Sequence, residues 1–167
     1  MNANPSLLLA ANSVPADYRL RMPGPAAVPE RVRAAVALPV LSHRGAEFRL
    51  ILERVTQSLR NILGTRQHVF LLGISGTGAM EAALVNVLSA GEAVLVVENG
   101  QFGERFSSIA EGLPVALDRL QIPWGEVPDA AAIAARVKAK FYRAVVVIHN
   151  ESATGVEIGR ASCRERV

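Results

Sequence analysis

Ala93-Val94-Leu95-Val96-Val97-Glu98-Asn99-Gly100-Gln101-Phe102-Gly103 is the stretch that decides the fold class. Five apolar residues in a row, three of them β-branched, show no inside–outside alternation. Such a segment reads as a strand buried on both faces, which is the habit of a parallel sheet. Asn99-Gly100 then turns the chain, and a helix follows from near Phe102 to Glu111. Working outward, His68–Leu72 (HVFLL) and Ala144–Ile148 (AVVVI) repeat the short apolar run. Ala79–Leu88 reads as a helix closed by Gly91, and Asp129–Lys140 as an Ala-rich helix. Strands alternating with helices predict an α/β fold, a partial three-layer α/β/α sandwich.

Farther upstream, Phe48, Ile51, Val55, Leu59 and Ile62 recur at spacings of three and four, so 47–63 is a helix with Gly64 as its stop. Residues 1–22 read as an irregular arm. The Pro23-Gly24-Pro25 segment that follows is extended and turn-rich, because proline restricts its own φ and the residue before it.

Composition narrows the function classes. Half of the 167 residues are hydrophobic and a fifth are charged, the balance of a soluble globular chain. The net charge of +3 is Arg-driven and partly local: Arg160, Arg164 and Arg166 crowd the last eight residues. No basic stripe with interleaved aromatics runs along the chain, so nucleic acid is not an expected partner. Cys163 is the single cysteine, which excludes an internal disulfide and fits a reducing compartment. The apolar run Leu7–Ala11 is too short for a signal core or a membrane span. A cytoplasmic protein without membrane partner is the expectation.

Ligands of parallel sheets sit beyond the carboxyl ends of the strands, so the loops there are the candidate chemistry. Gly73-Ile74-Ser75-Gly76-Thr77-Gly78 joins a predicted strand to a helix. Free N–H groups at a helix start bind phosphate, and Ser75 and Thr77 add hydroxyls. No Lys-Ser/Thr pair follows, and the glycine spacing is not that of a dinucleotide loop. The same residues also suit a plain tight turn with a Ser or Thr cap. In Asn99–Gly103, Phe102 is either a stacking platform for a flat heteroaromatic ring or a core residue after a turn. His149-Asn150-Glu151-Ser152-Ala153-Thr154-Gly155 gathers polar groups after the last predicted strand. There His149 is an acid–base candidate or a structural histidine, and Glu151 orients its neighbours or caps. Ser152 and Thr154 bond a ligand oxygen or their own loop. Ser42-His43-Arg44 offers a carboxylate-binding arginine or a helix cap by Ser42, and Trp124 reads as a packing anchor. No metal-ligand spacing is present.

In order along the chain, MPGPAAVPERV, SHRGAEFR, SGTGAMEAALVNVL, VENGQFGERF, IPWGEV and HNESATGV resemble the class V aminotransferases of fold type I, which use pyridoxal 5'-phosphate (PLP). The alanine–glyoxylate and serine–glyoxylate (serine–pyruvate) enzymes are the nearest group, and the likeness runs from about Arg21 to Val156. It implies the N-terminal half of the large domain, over 23–157. By this resemblance Ser75, Gly76 and Thr77 hold the cofactor phosphate, Phe102 stacks on the pyridine ring, and Ser152 lies near its phenolic oxygen. Gly24 falls in the segment that approaches the substrate carboxylate. Ala153 departs from the family, which often carries a hydroxyl there.

The resemblance implies an enzyme moving an amino group from alanine or serine to glyoxylate or pyruvate, working as a homodimer. The alternatives are a 2-aminoethylphosphonate–pyruvate aminotransferase, a PLP lyase relative, or a non-catalytic phosphate-binding product. PLP chemistry needs a Schiff-base lysine and an acid at the pyridine nitrogen. The family places both after HNESATGV. The two lysines of the chain, Lys138 and Lys140, lie in the Ala-rich helix before the third predicted strand, so the chain alone is expected to be inactive. Residues 158–167 (IGRASCRERV) show no period and no family likeness. They read as a non-native tail, like a translated sequencing adapter.

Overall fold

The computed structural model describes residues 19–158. Most of the predicted N-terminal arm and all of the predicted tail except Ile158 lie outside them. The chain divides into two compact units at Val69/Phe70.

The first unit holds two helices, α1 (Glu30–Val36) and α2 (Ala46–Leu63). Helix α2 ends as its sequence requires. Gly64 takes φ +62°, the left-handed conformation that costs a glycine least, and its N–H bonds to the Asn61 carbonyl. Ser42 does not cap this helix. The cap position is Gly45, and the Ser42 carbonyl accepts from the Gly45 N–H at 2.9 Å, closing the preceding turn. Gly24 is exposed in this unit.

The second unit runs α3 (Gly76–Val87), β1 (Ala93–Glu98), α4 (Gln101–Glu111), β2 (Ala116–Gln121), α5 (Ala130–Ala139) and β3 (Ala144–Val146). A short antiparallel hairpin of β4 (Asn150–Glu151) and β5 (Val156–Glu157) closes it. The three main strands form a parallel sheet in the order β2-β1-β3. Val94 lies level with Leu117 on one side and Ala144 on the other.

Strand β1 is central, and Val94, Leu95, Val96 and Val97 are all at 0% exposure. Val94 and Val96 cluster with Leu84 of α3, Leu88 just after it and Ala110 of α4, with Phe106, Ile109 and Leu117 at the margin. Leu95 and Val97 face the other way and are equally buried. The chain leaves β1 toward β2, then returns past β1 to β3. With the right-handed crossovers that parallel sheets favour, such a path sends α4 and α5 to opposite faces, the arrangement of a three-layer sandwich.

Two sequence expectations change. His68–Leu72 is not a strand: it runs irregularly, with Leu71 and Leu72 more than half exposed. An apolar run becomes a strand only inside a ladder, and the sheets of the described residues are built from later segments of the chain. Conversely, Ala116–Gln121 (ALDRLQ) is a strand although it holds Asp118 and Arg119, because it lies at the sheet edge, where Asp118 pairs with Lys140 and Arg119 with Glu111 and with Glu98 of β1. Trp124 is also no packing anchor: it is 55% exposed and its indole N–H donates to Glu104 at 2.9 Å. Ile158, by contrast, is 1% exposed, and its N–H donates to the His149 carbonyl at 2.8 Å.

Candidate functional site

The strand order reverses at β1, and the crevice between the carboxyl ends of β1 and β3 is where such a sheet accepts ligands. A cavity of about 530 Å³ opens there. Gly76 and Thr77 from the start of α3, Phe102 and Arg105 from α4, and Asn150 and Ser152 from the hairpin line it. Four residues singled out from sequence, Gly76, Thr77, Phe102 and Ser152, thus face one space.

The α3 end is built by local rules. Ser75 is the cap, and its Oγ accepts from the Gly78 N–H at 3.2 Å. Ser75 does not line the cavity; its oxygen serves the helix, with the O–H left to donate. The N–H groups of Gly76 and Thr77 have no acceptor among the described residues, as expected for the first turn of a helix. A Cβ built on Gly76 would meet nothing within 4 Å, so the absence of a side chain there keeps the approach to those N–H groups open.

The α4 end depends on a residue remote in sequence. Glu151, 1% exposed, sends Oε2 to the Phe102 N–H at 2.9 Å and toward the Gly103 N–H at 3.4 Å. Its Oε1 accepts from the Ala153 N–H at 3.1 Å. A carboxylate at a helix start is favoured by the helix dipole as well as by these bonds. Of the two roles left open for Glu151, capping is the one its contacts show. Two glycines make the arrangement possible. A Cβ on Gly100 would lie 2.4 Å from the Glu151 Cγ, and one on Gly103 would lie 2.8 Å from the Val97 carbonyl oxygen and the Glu98 Cα.

Arg105 is the site residue that sequence reasoning missed. Its Nη1 donates to the Thr77 Oγ1 at 3.0 Å, and its guanidinium lies 5.7 Å over the Phe102 ring. A ring contact at that distance contributes about 0.5 kcal/mol. The available signal was its place one turn after Phe102 on the same helix. His149, by contrast, is half exposed on the hairpin and 3.5 Å from Glu157, away from the cavity lining.

Beyond β2, Glu98 is buried at the end of β1. Its oxygens are held by Arg119 Nε at 3.0 Å and Gln121 Nε2 at 3.2 Å. That carboxylate is a structural tie between strands.

The cavity therefore offers backbone N–H groups, hydroxyls, a guanidinium and an aromatic face, a donor set suited to a planar ring carrying an oxyanion. A serine–glyoxylate aminotransferase of Methylorubrum extorquens is 32% identical over 163 residues, covering 95% of this chain and 40% of its own. A ureidoglycine–glyoxylate aminotransferase of Bacillus subtilis superposes with a TM-score of 0.79 at 26% identity, over 86% of this chain and 38% of its own. The chain is a relative of the class V aminotransferases. It matches the N-terminal part of their fold and spans about two fifths of the length of these two relatives. A soluble hydrogenase 42 kDa subunit of Anabaena cylindrica is 37% identical over 140 residues, covering 82% of this chain and 37% of its own. No protein-family profile matches the chain. Among the described residues, no helix is long and apolar enough to cross a membrane.

Proposed function

We propose that this chain supplies the cofactor-phosphate end of a PLP-dependent aminotransferase that moves an amino group from alanine or serine to glyoxylate or pyruvate. One observation carries the reading: Gly76, Thr77, Phe102 and Ser152 line a single cavity at the point where the strand order reverses. The residues present fit the cofactor, because the free N–H groups of Gly76 and Thr77 and the open space above Gly76 suit its phosphate.

When bound, the cofactor supplies the electron sink for chemistry at the amino acid's α-carbon. The chain's own residues position it. The α3 start, capped by Ser75, and the Thr77 hydroxyl donate to the phosphate. Phe102 offers a face to the pyridine ring, held in place by Glu151 through the backbone. Ser152 stands on the hairpin as a hydroxyl donor to a ring oxygen. Glyoxylate stands in the names of both the Methylorubrum and the Bacillus aminotransferase while the donor differs, which supports glyoxylate as the acceptor. The donors lining the cavity are oxygen- and nitrogen-based groups suited to an anion, which favours this reading over a hydrogenase role. We place the protein in the cytoplasm and as a homodimer.

The test is to read the gene from source DNA across the codons after Val156 and assay its product. Serine with glyoxylate should give glycine and 3-hydroxypyruvate, and alanine with glyoxylate should give glycine and pyruvate. A product that forms no glycine from glyoxylate with any small amino acid would remove the proposal. The 167-residue chain alone should give no turnover, since neither Lys138 nor Lys140 lines the cavity.

A further inference from the structure

Arg105 stands out among the cations of the second unit. Arg119 is paired with Glu98 and Glu111, Lys140 with Asp118, and Arg143 with Glu92, while Arg136 and Lys138 are exposed to solvent. Arg105 is half-buried and lines the cavity, yet its contacts among the described residues are neutral: the Thr77 hydroxyl and the Phe102 ring. Its near neighbours with carboxylates are committed elsewhere. Glu104 accepts from Trp124, and Glu151 accepts from the Phe102, Gly103 and Ala153 N–H groups. A guanidinium withdrawn part-way from water without a counter-charge is costly unless a ligand provides one.

The direction of its hydrogen bond adds a second argument. Arg105 donates to Thr77 Oγ1, so that oxygen serves as acceptor and its own O–H is left to donate. Arg105 thereby biases Thr77 toward the role an anion requires.

We propose that Arg105 is the cation that secures the anionic end of the ligand in this cavity, acting directly by charge and indirectly by presenting the Thr77 hydroxyl. This rests on the reading of the cavity as a phosphate-bearing cofactor site.

The experiment uses the 167-residue chain and calorimetric titration with pyridoxine 5'-phosphate and with pyridoxine. Pyridoxine 5'-phosphate carries an alcohol in place of the aldehyde, so it cannot condense with Lys138 or Lys140. The unsubstituted chain should bind the phosphorylated compound more tightly than pyridoxine. Arg105→Met should weaken the phosphorylated compound about tenfold or more, the scale of a charge-assisted hydrogen bond, and leave pyridoxine unchanged. Arg105→Lys should recover part of the loss. The double variant Arg105→Met/Thr77→Val should lose less than the product of the single losses, because the two residues act on one group.

Unaltered phosphate-ester binding in Arg105→Met would overturn the inference and leave the cofactor reading standing. Equal weakening of both compounds, with a lowered melting temperature, would show a structural role only and would also overturn it. If the unsubstituted chain bound neither compound, both the inference and the cofactor reading would fall.

Discussion

At the residue scale, the site depends on Glu151, on Gly100, which makes room for it, and on Gly103, which lets α4 approach β1. Replacing Glu151 with Ala removes the acceptor of two α4 N–H groups, one of them buried, and should destabilise the second unit by about 2 kcal/mol or more. Glu151→Gln keeps an acceptor oxygen but loses the charge at the helix start, so a smaller loss of about 1 kcal/mol is expected. Urea unfolding followed by far-ultraviolet circular dichroism separates the two, and equal stability of all three proteins would refute the capping role. Gly103→Ala is a sharper probe. Its Cβ would meet backbone atoms of Val97 and Glu98 at 2.8 Å, which cannot rotate away. A loss of about 2 kcal/mol is expected by the same measurement, in the range of overpacked cores.

At the scale of elements, Asp118 on β2 ties the sheet edge to the segment entering β3. The Tyr142 hydroxyl donates to it at 2.6 Å and the Lys140 ammonium at 2.9 Å. These two hydrogen bonds, the Tyr142 one foremost, hold the carboxyl below its ordinary 3.8. The same bond to Asp118 raises the Tyr142 hydroxyl above 10.0. The signs then follow. Asp118, depressed in the folded chain, contributes stability that is present above pH 3.8 and lost as the pH falls through its folded value. Tyr142, raised in the folded chain, contributes stability that is complete below pH 10.0 and lost as the pH rises beyond it. The difference in stability between the unsubstituted chain and Tyr142→Phe should therefore be flat from pH 5 to 9 and shrink at either end, small throughout because the cluster is partly exposed. A difference independent of pH from 2 to 11 would contradict this.

The same elements show what sequence could and could not tell. Strand β1 and helix α4 were legible because an unbroken apolar run, an Asn-Gly turn and an amphipathic helix agree with one another. Strand β2 was hidden, since an edge strand needs no apolar run and its charged residues find partners: Lys140 for Asp118, Glu98 and Glu111 for Arg119. His68–Leu72 misled for the opposite reason: apolar composition marks a wish to be covered, and periodicity does not say by what. Thr77, Phe102 and Ser152 could be named from short motifs with family likeness. Arg105 could not, because a lone arginine on an amphipathic helix looks like any solvated charge until Thr77 is seen beside it.

At the scale of the whole molecule, the described sheet ends on two open edges, β2 and β3. The first carries charges; the second carries Val145, 39% exposed, with Val147 and Phe141 also exposed nearby. An apolar edge strand is a template for pairing with another chain. Sedimentation velocity of the 167-residue chain should show association that grows with concentration. Val145→Lys should reduce it, since a charge on an edge strand blocks pairing. A monomer at every concentration would count against the edge as the adhesive surface.

The Glu151–Phe102 bond spans 49 residues of chain. A ribosome adding roughly 5–20 residues per second needs some seconds to cover that distance. During synthesis, helix α4 must wait that long for the carboxylate that settles its first turn. A nascent chain halted just short of Glu151 would therefore hold nearly the whole cavity lining, Ser152 excepted, and still lack the tie between the phenylalanine helix and the hydroxyl-bearing hairpin.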